Sequence, residues 1–210
     1  MIKPDWIAPN RTALLVIDCQ VDFGSPDGVM ARRGADMTAP QAAAAKAERL
    51  VEAARGAGVP VIFVRLLTHA GGESRTAREA KQRRGDDEPD LCVEGTRGAD
   101  FIGPQPKPGE AVISKIRYDA FARTGLADQL HAQGVDTLVL CGLTTECCVA
   151  SSAWSGFEQD LHIFIAQDAC AAYDEGLHHH ALRALKMSGA VVADSDEFAT
   201  TWKSGAISMR

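Results

Sequence analysis

Short apolar runs of strand length alternate with segments of helical periodicity along almost the whole chain, and this alternation constrains the fold more than any other feature. Residues 12–18 (TALLVID) form an apolar, partly β-branched run left through Asp, Gln and Gly-Ser-Pro, as a buried strand would be. From residue 40 to 58, apolar residues recur at Ala43, Ala47, Leu50, Val51 and Ala54, between Pro40 and Gly58, which predicts an amphipathic helix with its usual punctuation. Further strands are predicted at 59–66, 111–116, 137–141, 161–166 and 190–193. Helices are predicted at 124–133 and 175–188, stopped by Gly134 and Gly189, and at 146–157. Six strands alternating with helices predict an α/β fold with a mainly parallel sheet covered on both faces. Such sheets carry their sites at the carboxyl ends of the strands.

The exception is residues 68–108, rich in Arg, Gly, Asp and Pro and interrupted only by a short polar helix near 74–84. A loop of this length is usually functional, and it is expected over the strand ends or at a subunit interface. The 210 residues fit one domain spanning 1–210. No apolar run approaches the roughly 18 residues of a membrane span. The opening MIKPDWIAPNRT lacks the apolar core of a signal sequence, so a cytoplasmic protein is expected. With 22 Lys and Arg against 28 Asp and Glu the net charge is −6, without a basic stripe, which argues against nucleic acid. The six cysteines lack C-x-x-C spacing, and reduced thiols are expected rather than a disulfide framework.

Three residues able to carry chemistry fall at strand ends: Asp18, Lys115 and Cys148, the last after a short Gly-Leu-Thr-Thr turn. A cysteine at a helix start beside a lysine is a candidate for a lowered thiol pKa, with a carboxylate to take its proton. That set suits thiolate attack on a carbonyl, an acyl-enzyme and hydrolysis, with backbone N–H groups of the 142–148 turn facing the oxyanion. Each residue also has a plainer reading: a small buried apolar group for Cys148, a turn cap for Asp18, a snorkelling side chain for Lys115. His178, His179 and His180 are consecutive, point about 100° apart on a helix and cannot all chelate one ion. His69 opens the long loop as an alternative base.

LLVIDCQVDF at 14–23, KIRYDAF at 115–121 and GLTTECCVASSA at 142–153 together resemble the isochorismatase-like cysteine hydrolases, nearly over the full length. The resemblance implies a three-layer α/β/α sandwich with a six-stranded Rossmann-like sheet, Asp18 as general base, Lys115 as the group that lowers the thiol pKa, and Cys148 rather than Cys147 as nucleophile. It also implies a cis peptide at Leu143–Thr144, with the amides of Thr144 and Cys148 as the oxyanion hole. LCVEGTRGADF and the lysine motif look most like the ureidoacrylate and N-carbamoylsarcosine amidohydrolase branch, in which Tyr118 and Phe23 would face a small-molecule substrate. RLLTHAGGES lacks the Asp-x-His metal loop of nicotinamidases, so no metal and no cofactor are expected. A homodimer or homotetramer is implied. Asp119 stands where relatives usually have serine, and Ser155 where they usually have aspartate.

The expected activity is hydrolysis of a C–N bond in a small linear amide, ureido or carbamoyl compound. Its rivals are an isochorismatase-type enol-ether hydrolase, which needs no thiol, and a non-catalytic binding or redox-sensing protein on the same scaffold.

Overall fold

The structure, a computed structural model, describes residues 1–69, 75–85 and 90–208. In chain order its regular elements begin with β1 (Thr12–Ile17), two single-turn helices α1 (Val21–Gly24) and α2 (Val29–Arg32), α3 (Thr38–Ala57) and β2 (Val61–Leu66). The polar helix α4 (Arg75–Arg84), β3 (Ala111–Lys115), α5 (Leu126–Ala132) and β4 (Thr137–Leu143) follow. A π-helical turn (Thr145–Val149) leads into α6 (Ala150–Phe157), then β5 (His162–Ala171), α7 (Glu175–Met187), β6 (Val191–Ala193) and α8 (Ser195–Ser208). The six strands form one sheet in the order β3-β2-β1-β4-β5-β6, and every pairing is parallel rather than mainly so.

The pattern of burial explains the layering. Every residue of β1 and β4 is buried, as expected for central strands covered on both faces. Helix α3 buries Ala43, Ala47, Leu50, Val51 and Ala54 along one stripe, ends at Gly58 in the left-handed region (φ 75°), and packs with α8 on β5. Helices α6 and α7 pack on each other and on β5. In α8, which the sequence reading did not anticipate, buried Trp202 donates its indole N–H to the Ile7 carbonyl at 3.0 Å, tying the two ends of the chain together.

Two boundaries differ from expectation. Strand β5 runs to Ala171, because Gln167 and Asp168 interrupt the apolar run without ending the strand, and the pairing with β4 resumes after an irregularity at Gly142↔Cys170. The helix expected from 146 starts instead as the π turn, in which the Val149 N–H bonds back to the Thr144 carbonyl at 3.2 Å. Among the described residues no helix is long and apolar enough to cross a membrane.

Gly142 sets how closely β4 approaches β1. Its φ of 125° excludes most side chains, and a Cβ there would lie 1.9 Å from the Ile17 carbonyl oxygen, immediately below Asp18. Gly56 in α3 has nothing within 4 Å of its own missing Cβ. Gly142→Ala is therefore expected to lower stability by more than about 3 kcal/mol, whereas Gly56→Ala should be neutral or stabilising by up to about 1 kcal/mol. Denaturant titration of both variants checks this contrast.

Candidate functional site

The carboxyl ends of β1, β3 and β4 bring Asp18, Lys115 and Cys148 together. Asp18 follows β1 with φ 49°, a left-handed turn that takes the chain sharply out of the sheet and is tolerated by aspartate better than by most residues. Lys115 is the last residue of β3 and reaches past the end of β2, which separates β3 from β1. Its Nζ donates to Asp18 Oδ2 at 2.6 Å, to the Arg117 carbonyl at 2.9 Å and to Cys148 Sγ at 3.4 Å. Both side chains of the ion pair are 0% exposed.

Electrostatics tie the three groups into one unit. Burial works against the Lys115 ammonium, but Asp18 and Cys148 outweigh it and hold its pKa above the ordinary lysine value. Burial pushes the Cys148 thiol well up, Asp18 pushes it further by charge and hydrogen bonding, and Lys115 pulls the other way without prevailing. The expected lowering of the thiol pKa therefore does not hold. The physical reason is that the sulfur is buried beside an anion as well as a cation.

Of these three groups Cys148 lines a cavity of about 470 Å³, together with Thr144, Glu146 and Cys147 of the same turn. Phe23 and Tyr118 line it as well: Phe23 is buried, and Tyr118 is 63% exposed at the mouth. The long loop contributes Thr68, Ala77, Lys81, Asp90 and Leu91, so these residues of the loop lie over the strand ends. Arg33 and Arg117 add cationic groups to the wall. Thr144, joined to Leu143 by a cis peptide, is buried, and its hydroxyl donates to Glu146 Oε1 at 3.0 Å.

Three side chains brace these walls. Buried Gln20 donates to the carbonyls of Leu66 (2.9 Å) and Ala99 (3.0 Å) and accepts from Leu66 N–H at 2.8 Å. Asp22 accepts from Val29 N–H at 3.0 Å and from Cys92 N–H at 2.7 Å, joining α2 to the long loop. The Tyr173 hydroxyl donates to the Phe23 carbonyl at 2.8 Å. Tyr173, which also lines the cavity, escaped the sequence reading because β5 outruns its apolar run. Glu146 and Asp22 stood inside motifs already recognised but had no chemistry assigned to them.

Other sequence candidates lie elsewhere. His69 pairs with Glu94 at 2.7 Å, outside the Asp18–Lys115–Cys148 cluster. His178 Nδ1 contacts the Thr145 hydroxyl at 2.8 Å behind the nucleophile turn, and His179 faces Glu175 at 3.4 Å. Asp119 accepts from Phe121 N–H at 2.8 Å and caps its own turn rather than lining the cavity. Ser155 is half-buried on α6, away from the cavity lining. Among the described residues no cluster of three or more His, Cys, Asp or Glu is arranged to hold a metal ion; residues 70–74 of the loop after β2 lie outside the described residues.

The model of the isochorismatase domain matches residues 12–197. The chain belongs to the isochorismatase family. It is 32% identical over 211 residues to ureidoacrylate amidohydrolase RutB of Methylobacterium radiotolerans, an alignment covering 93% of this chain and 82% of that protein. N-carbamoylsarcosine amidase from Thermoplasma acidophilum superposes with a TM-score of 0.70 at 26% identity, over 89% of this chain and 97% of that one. A cysteine hydrolase from Pseudomonas syringae pv. phaseolicola superposes with a TM-score of 0.83 at 22% identity, covering 95% and 96%, and shares the fold. This isochorismatase-family hydrolase thus has relatives that are amidohydrolases.

Breaking a buried ion pair from one side leaves an uncompensated charge, at a cost of about 3–5 kcal/mol. Lys115→Met should destabilise the protein by that amount, and adding Asp18→Asn should restore a large part of it. Chemical denaturation of the single and double variants measures both, and a loss under about 1 kcal/mol for Lys115→Met would contradict the assignment.

Proposed function

We propose that this protein is a metal-independent cysteine amidohydrolase that cleaves a C–N bond in a small linear amide, ureido or carbamoyl compound. The observation that carries the proposal is the buried Lys115 ammonium held between Asp18 (2.6 Å) and Cys148 (3.4 Å), with Cys148 itself lining the cavity. The activities that name RutB and N-carbamoylsarcosine amidase support the same reaction class.

In this mechanism Asp18 takes the thiol proton; its Oδ1, buried without a hydrogen-bond partner, is the acceptor available for it. The high resting pKa of Cys148 keeps the thiol neutral until then, and Lys115 stabilises the thiolate as it forms. Sulfur attacks the carbonyl carbon, and the amides of Thr144 and Cys148 receive the oxyanion. The C–N bond breaks, the proton held by Asp18 passes to the departing nitrogen, and ammonia or an amine leaves a thioester on Cys148. Water, deprotonated by Asp18, attacks the thioester. The acid departs and the proton returns to sulfur, so the cycle consumes one water.

Phe23 and Tyr118 bound the substrate on two sides, and a single catalytic domain in a homodimer or homotetramer fits this reading. Enol-ether hydrolysis would require no thiol, so the Lys115–Cys148 contact weighs against it.

Ammonia release by the wild type and Cys148→Ala from a panel of small amides, ureido acids, carbamoyl amino acids and nicotinamide tests the proposal. Release from at least one ureido or carbamoyl compound is expected, with a loss of at least about 1,000-fold in the variant. Release that persists in Cys148→Ala would remove Cys148 as the nucleophile.

A further inference from the structure

Glu146 is the one acidic side chain of the nucleophile turn, between Thr144 and Cys147, and it lines the same cavity as Cys148. Its two oxygens are in different situations. Oε1 accepts the Thr144 hydroxyl at 3.0 Å, whereas Oε2 is buried with no hydrogen-bond partner among the described residues. A buried acceptor without a donor is costly, and native structures seldom keep one without a use. Tyr173, which shares this part of the cavity, directs its hydroxyl to the Phe23 carbonyl and not to Glu146. The χ3 torsion of glutamate is broad and soft, so the carboxylate can turn Oε2 toward the cavity at little cost.

We infer that Glu146 is a specificity-determining residue whose Oε2 accepts an N–H of the substrate next to the reacting carbonyl. The inference rests on the cysteine amidohydrolase reading and deepens it. Ureido, carbamoyl and primary or secondary amide groups supply such an N–H, whereas an ester or enol ether leaves Oε2 without a donor. The selection is thus for a donor on the scissile group, made two residues from the nucleophile.

The test uses two acyl donors with the same leaving group: p-nitrophenyl N-methylcarbamate, with one N–H beside the carbonyl, and p-nitrophenyl acetate, with none. The p-nitrophenolate burst is recorded for the wild type, Glu146→Gln, Glu146→Met and Cys148→Ala. The ratio of carbamate to acetate rates should fall by about 10- to 100-fold in Glu146→Met and by less in Glu146→Gln, which keeps the shape and one acceptor. An unchanged ratio in both variants would overturn the inference, as would an equal fall on both donors, which is what a purely structural role produces. Should Glu146→Met fail to fold, the ratio in the isosteric Glu146→Gln decides on the same criteria. Bursts that survive in Cys148→Ala would overturn the cysteine reading and this inference with it; bursts lost there, with an unchanged ratio in the Glu146 variants, would overturn this inference alone.

Discussion

The placement of a lysine ammonium in a fully buried position governs the rest of the site. Lys115 can stay charged there only because Asp18 lies 2.6 Å away and the Arg117 carbonyl accepts a further hydrogen bond. That requirement is met by an all-parallel sheet in which β1 and β3 flank β2, Ile17 and Ile113 both pairing with Val64 and Lys115 with Leu66, and by the left-handed turn at Asp18 that takes it off the end of β1. Gly142 serves the same end, since its missing side chain lets β4 lie against Ile17 and deliver Cys148 to the pair. Burial raises the thiol and favours the neutral form at rest. The same balance leaves the Cys148 sulfur beside both a carboxylate and an ammonium.

The cavity above this cluster depends on contacts between segments far apart in sequence. Asp22 holds α2 and the long loop through two amide N–H groups, and a Cβ on Gly98 would fall 2.2 Å from the same carboxylate, so that glycine belongs to the arrangement. Gln20 satisfies both its amide oxygen and its nitrogen on the ends of β2 and the long loop. Residues 20 and 22 thus place the walls while Asp18, only a few positions earlier, faces the chemistry. A short motif at the end of β1 therefore supplies both the carboxylate paired with Lys115 and two braces of the cavity walls.

Much of this was legible in the sequence because it rests on local patterns. The strand and helix alternation follows from burial on both faces of the sheet, and the three motifs name the residues that meet at its edge. What was not legible depends on long-range pairing. Strand β5 continues through Gln167 and Asp168 because Asp168 is satisfied by Ser195 and Lys46, partners that no local pattern announces. The amphipathic signal of α8 is weak, and its docking through Trp202 onto Ile7 joins opposite ends of the chain. The thiol pKa was misjudged because the motif names a lysine and a helix start but says nothing of how deeply the sulfur is buried. Glu146 was passed over because its significance lies in an oxygen left without a partner, which only the folded structure reveals.

The central claim is that Asp18, Lys115 and Cys148 behave as one electrostatic unit, and the pH dependence of Cys148 alkylation by iodoacetamide, read by peptide mass spectrometry, tests it most directly. In the substrate-free wild type the rate should still be rising at pH 9.0, the ordinary thiol value from which Cys148 is displaced upward. The midpoint should move down in Asp18→Asn, where the anion that opposes the thiolate is gone, and up in Lys115→Met, where the cation that favours it is gone. A wild-type midpoint below 9.0, or one that neither substitution moves, would contradict the account.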